Sequence, residues 1–106
     1  MLAFIEGRPV DGMAATEPGQ TIVRFALPPT SGAEVASLIG SFDNWAIIGR
    51  PMQRLDDGSF ELTLSLPRGR RYEFRYLLDG YRWENDPEAD DYAPNAYGGY
   101  NSVIHT

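Results

Sequence analysis

The chain has 106 residues and no cysteine, which is the size of one ordinary domain and excludes a disulfide framework and thiolate chemistry. Fifteen acidic residues outnumber nine arginines, so a phosphate backbone or an anionic membrane surface is a poor partner for a net charge of −6. The sequence shows neither a convincing signal peptide nor a stretch long enough to span a membrane, and we expect a cytoplasmic protein.

The chain divides into a short start and a β-domain. Residues 1–19 lack a clean periodicity and are predicted to form an N-terminal tail or an extra strand, followed by one domain at 20–106. Strand-like runs bounded by turn-forming residues are predicted at 21–27, 34–40, 51–55, 59–66, 71–78, 81–83 and 101–105.

Strict alternation in 59–66 and 71–78 gives each of these runs one apolar face. In the second run Phe74 and Tyr76 share a face, and Arg75 lies on the opposite one. No segment shows sustained helical periodicity. The pattern predicts an all-β fold, an immunoglobulin-like antiparallel β-sandwich of about seven to eight strands.

Two tryptophans stand where predicted strands meet loops. Trp45 ends the segment GSFDNW at 40–45, and Trp83 follows the turn at Asp79-Gly80. A large flat ring among polar neighbours is poorly placed for a core and well placed to stack on a flat ligand. A pyranose ring is such a ligand because it presents a face of C–H groups and a rim of hydroxyls.

Six segments, in order, resemble a family 48 carbohydrate-binding module, the domain found at the N-terminus of isoamylase and glycogen branching enzymes and in the β-subunit of the AMP-activated kinase. They are GSFDNW at 40–45, Pro51-Met52, DGSFELTLSLPRG at 57–69, YEFRYLLDG at 72–80, WENDP at 83–87 and PNAYGGYNSV at 94–103. The resemblance covers residues 20–105 and is strongest to small stand-alone bacterial proteins made of this domain alone.

The resemblance implies five site residues. Trp45 and Trp83 would stack on glucose rings, and Arg75, where the kinase subunits carry lysine, would contact hydroxyls. A C-terminal loop would supply Tyr97, where leucine is usual in the kinase subunits, and Asn101. Tyrosine can still stack, and the loop before Trp83 is one residue longer here.

The aromatic residues also have structural interpretations. Trp45 could anchor its loop in the core, and Trp83 could pack because it alternates with Tyr81 along one strand. Of Tyr97 and Tyr100, we expect one to pack and the other to face ligand or solvent.

The polar residues have such alternatives too. Arg75 could be a surface arginine paired with Glu73 or Glu61. Asn101 could be a turn residue that closes the Gly98-Gly99 loop.

Five acids crowd into a run that we expect to be a solvated loop: Glu84, Asp86, Glu88, Asp90 and Asp91. Their spacing matches no known calcium loop, and we expect no metal. Adjacent solvated acids also differ from a glycosidase pair, which stands about 5–10 Å apart across a cleft. The single histidine, His105, lacks a partner motif for a triad or a metal site.

We therefore expect a non-catalytic module that binds α-1,4-glucan, as glycogen, starch-like chains or maltooligosaccharides, with no cofactor, no nucleic acid and no membrane partner. A glycogen-metabolism enzyme in trans is a candidate protein partner. The alternative is a protein-docking module that kept the sandwich fold without sugar binding. A small hydrolase is disfavoured because the sequence shows no pairing of a base with a nucleophile.

Overall fold

The computed structural model describes residues 3–4 and 18–106, and most of its regular structure is strand. Ten strand segments occur in these residues: β1 (Ala3–Phe4), β2 (Gln20–Leu27), β3 (Ala36–Gly40), β4 (Arg50–Pro51), β5 (Gln53–Arg54), β6 (Phe60–Pro67), β7 (Arg71–Leu78), β8 (Arg82–Glu84), β9 (Asp91–Pro94) and β10 (Tyr100–His105). The helices described are single 3-10 turns at Pro29–Ser31 and Ser41–Asp43, and neither is long or apolar enough to cross a membrane.

The strands form two antiparallel sheets. The smaller sheet has the order β1-β2-β6-β5, and the larger has the order β4-β3-β7-β10-β9. The β8 segment pairs with the C-terminal half of β7, beyond the end of β10. This arrangement confirms the predicted all-β, immunoglobulin-like sandwich, whereas the domain boundary at residue 20 stays a prediction.

The number of strand segments exceeds the predicted seven to eight, partly because one predicted strand divides. Buried Met52 separates β4, which pairs with β3 in the larger sheet, from β5, which pairs with β6 in the smaller one. The β9 segment pairs with β10 at the end of the acidic run, where the sequence predicted only a loop. Pairing across the sheet, rather than local alternation, forms these segments.

The alternation predicted for β7 places one of its faces in the core. Phe74, Tyr76 and Leu78 are fully buried, and the Phe74 ring meets Phe25 of β2 edge-on with the centroids 5.1 Å apart. Burying a side chain of this size stabilises the fold by about 1.5–3 kcal/mol. Arg75, between them in sequence, lies on the outer face of the same sheet.

Asp86 is buried in the sandwich, which corrects the prediction that the whole acidic run is solvated. Only 3% of Asp86 is exposed, and the Tyr76 hydroxyl donates a 2.7 Å hydrogen bond to its Oδ2. The Glu88 N–H donates to Oδ1 at 2.8 Å, and the Asp86 N–H donates to the Ser102 hydroxyl at 2.8 Å. Burial raises the pKa of Asp86, although the hydrogen bond from Tyr76 opposes this effect. Asp86 therefore fastens the connection between β8 and β9 to the core.

Replacing Tyr76 with phenylalanine would leave Oδ2 of Asp86 buried without this donor. We expect the free energy of unfolding, measured in urea, to fall by about 1–3 kcal/mol. Tyr81→Phe is the matched control because Tyr81 is exposed. The free energy of unfolding of this variant should stay within about 0.5 kcal/mol of the wild-type value. Equal stability of the two variants would contradict a structural role for the Tyr76–Asp86 bond.

Candidate functional site

A cleft of about 690 Å³ lies over the outer face of the larger sheet. It brings together all five residues named from the sequence: Trp45, Arg75, Trp83, Tyr97 and Asn101. The rest of its lining is made by Ile39, Ile47, Glu73, Pro94, Asn95 and Ala96. Three separate segments surround the cleft, namely the loop after β3, the strand β8 and the loop between β9 and β10. The role of the five residues in binding stays a prediction.

Trp45 is presented by an unusual backbone. Both Asn44 and Trp45 have positive φ, at 52° and 58°, and the Trp45 N–H donates to the Gly40 carbonyl at 3.0 Å. A bulky residue in this left-handed region is strained, typically by about 1–3 kcal/mol, and such strain concentrates at functional sites. The side chain is 39% exposed, which is more than a core anchor would be.

Contacts on both sides of Trp45 fix the loop that carries it. Asp43 and Arg50 form a two-pronged ion pair across the loop, with both nitrogen–oxygen distances at 2.7 Å. The hydrogen bonds from Arg50 lower the pKa of Asp43. Ser41 accepts a 3.0 Å hydrogen bond from the Glu73 N–H of β7, and the Phe42 ring packs on Phe25 in the core. The strained tryptophan thus sits on a loop that is tied to the sheet.

Trp83 and Arg75 form one unit in the cleft. The Arg75 guanidinium carbon lies 5.3 Å from the centroid of the Trp83 ring, a cation–π contact worth about 0.5–1 kcal/mol. Trp83 is 38% exposed, so it is not packed into the core. Arg75 is not paired with either predicted acid, because Glu61 pairs with Arg24 and Glu73 pairs with Arg71. The Nε of Arg75 finds no hydrogen-bond partner among the described residues.

Asn101 lies in β10 and bonds across the cleft floor. Its Nδ2 donates to Glu73 Oε1 at 3.0 Å, and its Oδ1 accepts from Asn95 Nδ2 at 3.2 Å. The alternative in which Asn101 closes the Gly98-Gly99 loop is therefore wrong. Asn95 closes that loop, because its Oδ1 accepts from the Gly99 N–H at 3.1 Å.

Both tyrosines near this loop are exposed, which corrects the expectation that one of them packs. Tyr97 is 93% exposed on the rim of the cleft, and Tyr100 is 57% exposed. The exposure of Tyr97 leaves its ring accessible to a ligand.

Sequence reasoning did not assign four notable lining residues to the site, although it named Glu73 as a possible partner of Arg75; the four are Ile39, Ile47, Glu73 and Asn95. Alternation along β7 could have indicated Glu73, because it shares the outer face with Arg75. The exposed Ile47 follows Trp45 by two residues in a loop, where an apolar side chain is itself a signal.

The acidic run has separate structural partners. Asp90 accepts from the His105 N–H at 2.9 Å, and Asp91 accepts from the Tyr92 N–H at 2.7 Å. Within residues 3–4 and 18–106, no group of three or more His, Cys, Asp or Glu side chains is placed to hold a metal ion.

A family model for carbohydrate-binding module 48, the isoamylase N-terminal domain, matches residues 12–96. The match covers most of the chain and includes Trp45, Arg75 and Trp83. The chain belongs to this family. The resemblance drawn from the motifs is confirmed, and the family supports carbohydrate binding as the general function of the module. Tyr97 and Asn101 follow the end of the match, and no curated protein matches the chain.

Gly40 is the first residue of the Trp45 segment and leaves no room for a side chain. A Cβ there would lie 2.8 Å from the Glu73 carbonyl oxygen and 2.6 Å from the Phe42 ring. We expect Gly40→Ala to lower the free energy of unfolding by about 1–3 kcal/mol because the backbone of β7 must shift. Gly99→Ala is the control, since its Cβ would make only ordinary contacts, the nearest at 3.5 Å. A Gly40→Ala variant as stable as this control would contradict the close approach.

Glu73 is expected to make the stability of the module depend on pH in the acid range. Hydrogen bonds from Arg71 and then from Asn101 hold the pKa of Glu73 below its ordinary value of 4.5. A lowered pKa contributes stability that is present above the ordinary value and is lost as pH falls through the folded value. We expect the stability advantage of wild type over Glu73→Gln to be at most about 1 kcal/mol near neutral pH, because the pair is partly exposed.

Urea unfolding of wild type and Glu73→Gln, repeated from about pH 7 to about pH 3, measures this advantage. The difference in free energy of unfolding between the two proteins at each pH removes the contribution of the other carboxylates, which both proteins share. An advantage that grew as pH fell would contradict the proposed ion pair.

Proposed function

We propose that this module binds α-glucan without catalysing a reaction, using Trp45 and Trp83 as stacking surfaces. The observation that carries the proposal is that one cleft is lined by all five residues that the family resemblance implies. Those residues lie on β7, β8, β10 and two loops, so their proximity is a property of the fold. The family match supports the general class of ligand.

The cleft contains the groups that a sugar requires. Two half-exposed indole rings can cover the C–H faces of pyranose rings, and the Tyr97 ring adds a third apolar surface. Arg75 brings guanidinium donors, and Glu73 brings carboxylate acceptors for hydroxyls. This mixture of apolar walls and a few polar groups is typical of small-ligand sites.

The expected affinity is modest. Covering one face of each tryptophan removes about 100–200 Å² of apolar surface, a gross gain of about 2.5–5 kcal/mol at about 25 cal/mol per Å². Immobilising the ligand costs several kcal/mol. We therefore expect a dissociation constant in the micromolar to millimolar range.

The arrangement favours a curved chain over a straight one. A straight β-linked glucan suits a flat row of aromatic rings, whereas here the aromatic residues come from three segments around a cleft. An α-1,4-glucan bends along its length and can place successive rings against different walls.

The carboxylate in the cleft is poorly suited to catalysis. A glycosidase needs two carboxyl groups across the scissile bond, one of them with a raised pKa. Among the described residues the cleft lining includes one, Glu73, and its pKa is lowered by Arg71 and Asn101. This supports a binding role. As a further part of the proposal, the module would bring an enzyme of glycogen metabolism to its polymer.

Calorimetric titration with maltoheptaose tests the proposal, with cellohexaose as the comparison sugar. We expect wild type to bind maltoheptaose, and Trp45→Ala and Trp83→Ala each to bind at least about tenfold more weakly, a loss of about 1.4 kcal/mol. Tyr81→Ala, which removes an exposed aromatic ring that does not line the cleft, should bind like wild type.

Folding of each variant is checked by its urea midpoint. Absence of binding by wild type at tens of millimolar maltoheptaose would contradict the proposal and favour the protein-docking alternative. Equal affinity for cellohexaose would contradict the preference for α-glucan.

A further inference from the structure

The loop that carries Tyr97 is organised by one side chain. Asn95 Oδ1 accepts from the Tyr97 N–H at 2.9 Å and from the Gly99 N–H at 3.1 Å, and the Asn95 N–H donates to the Gly99 carbonyl at 2.9 Å. Between them Gly98 has a φ of 84°, in the left-handed region that glycine adopts without strain. Asn95 thus closes the turn from both ends.

Side-chain packing contributes little to the position of Tyr97. The residue is 93% exposed, so few apolar contacts restrain it. The backbone of the loop therefore decides where this ring stands, and Asn95 holds that backbone through the hydrogen bond to the Tyr97 N–H.

The same side chain also orients the floor of the cleft. Asn95 Nδ2 donates to Asn101 Oδ1 at 3.2 Å, and Asn101 Nδ2 donates to Glu73 Oε1 at 3.0 Å. Glu73 Oε2 in turn pairs with Arg71 at 2.7 Å. This row of contacts fixes which end of the Asn101 amide faces Asn95 and which faces Glu73.

We propose that Asn95 is the positioning residue of the sugar site, holding Tyr97 through its oxygen and Asn101 through its nitrogen. The proposal rests on the function proposed above and adds to it a residue that sets the geometry of two others. It accounts for the presence of an asparagine, because only a side chain with both an acceptor and a donor makes the two sets of bonds.

The two roles can be separated by substitution. Asn95→Asp keeps an acceptor for the Tyr97 and Gly99 N–H groups but cannot donate to Asn101 Oδ1, and it places a second carboxylate near Glu73. Asn95→Ala removes both roles. We therefore expect the alanine variant to bind maltoheptaose at least about tenfold more weakly than wild type. The affinity of the aspartate variant should lie between those of wild type and the alanine variant.

A double-mutant cycle distinguishes positioning from a general loss of stability. If Asn95 acts through Asn101, then Asn95→Asp weakens maltoheptaose binding in wild type but has little further effect in an Asn101→Ala background. In the same way, the effect of Asn95→Ala should be smaller in a Tyr97→Ala background. Urea midpoints identify any variant that does not fold. If Asn95→Ala does not fold, the cycle that combines Asn95→Asp with Asn101→Ala still tests the proposal.

The outcomes separate the two proposals. Wild-type binding that is unchanged in Asn95→Ala and Asn95→Asp would overturn the positioning role alone. The positioning role would also be overturned if the Asn95 substitutions weakened maltoheptaose binding by the same factor in wild type as in the Asn101→Ala and Tyr97→Ala backgrounds. Wild type that binds no maltoheptaose would overturn the sugar site itself, and the positioning role with it.

Discussion

One strand supports both the core and the candidate site, because consecutive side chains of β7 point to opposite sides of the sheet. Its inner face places Phe74 and Tyr76 in the centre of the sandwich, and its outer face places Glu73 and Arg75 in the cleft. A one-residue slip of β7 would exchange the two faces, so core packing fixes the register of the site. Most of the remaining structure brings loops to that fixed outer face.

The loops are held by polar contacts that reduce the cost of ordering a ligand site. Trp45 occupies a strained backbone, and the Asp43–Arg50 pair holds the loop on either side of it. Asn95 organises the opposite loop. A site whose walls are fixed before binding loses less conformational entropy when a ligand arrives, which matters most for a weak ligand such as a sugar.

Alternation along the chain predicted the long strands well, because β7 buries Phe74, Tyr76 and Leu78, and the alternate leucines of β6 are buried or pack partly buried against the core. Asp86 could not be predicted as buried, since it lies in a loop and its burial depends on a hydroxyl from Tyr76 of β7. The organising role of Asn95 depends on a loop conformation that local sequence does not specify. The five site residues came from the family resemblance, and the fold brings them into one cleft.

Nuclear magnetic resonance of the ¹⁵N-labelled protein, titrated with maltoheptaose, tests the central claim most directly. The two indole N–H groups of Trp45 and Trp83 give separate signals that report on the two proposed stacking surfaces. We expect both to shift and to saturate at the same sugar concentration, while the amide of buried Phe25 stays unchanged. Signals that do not move, or shifts confined to residues outside the cleft, would contradict the account.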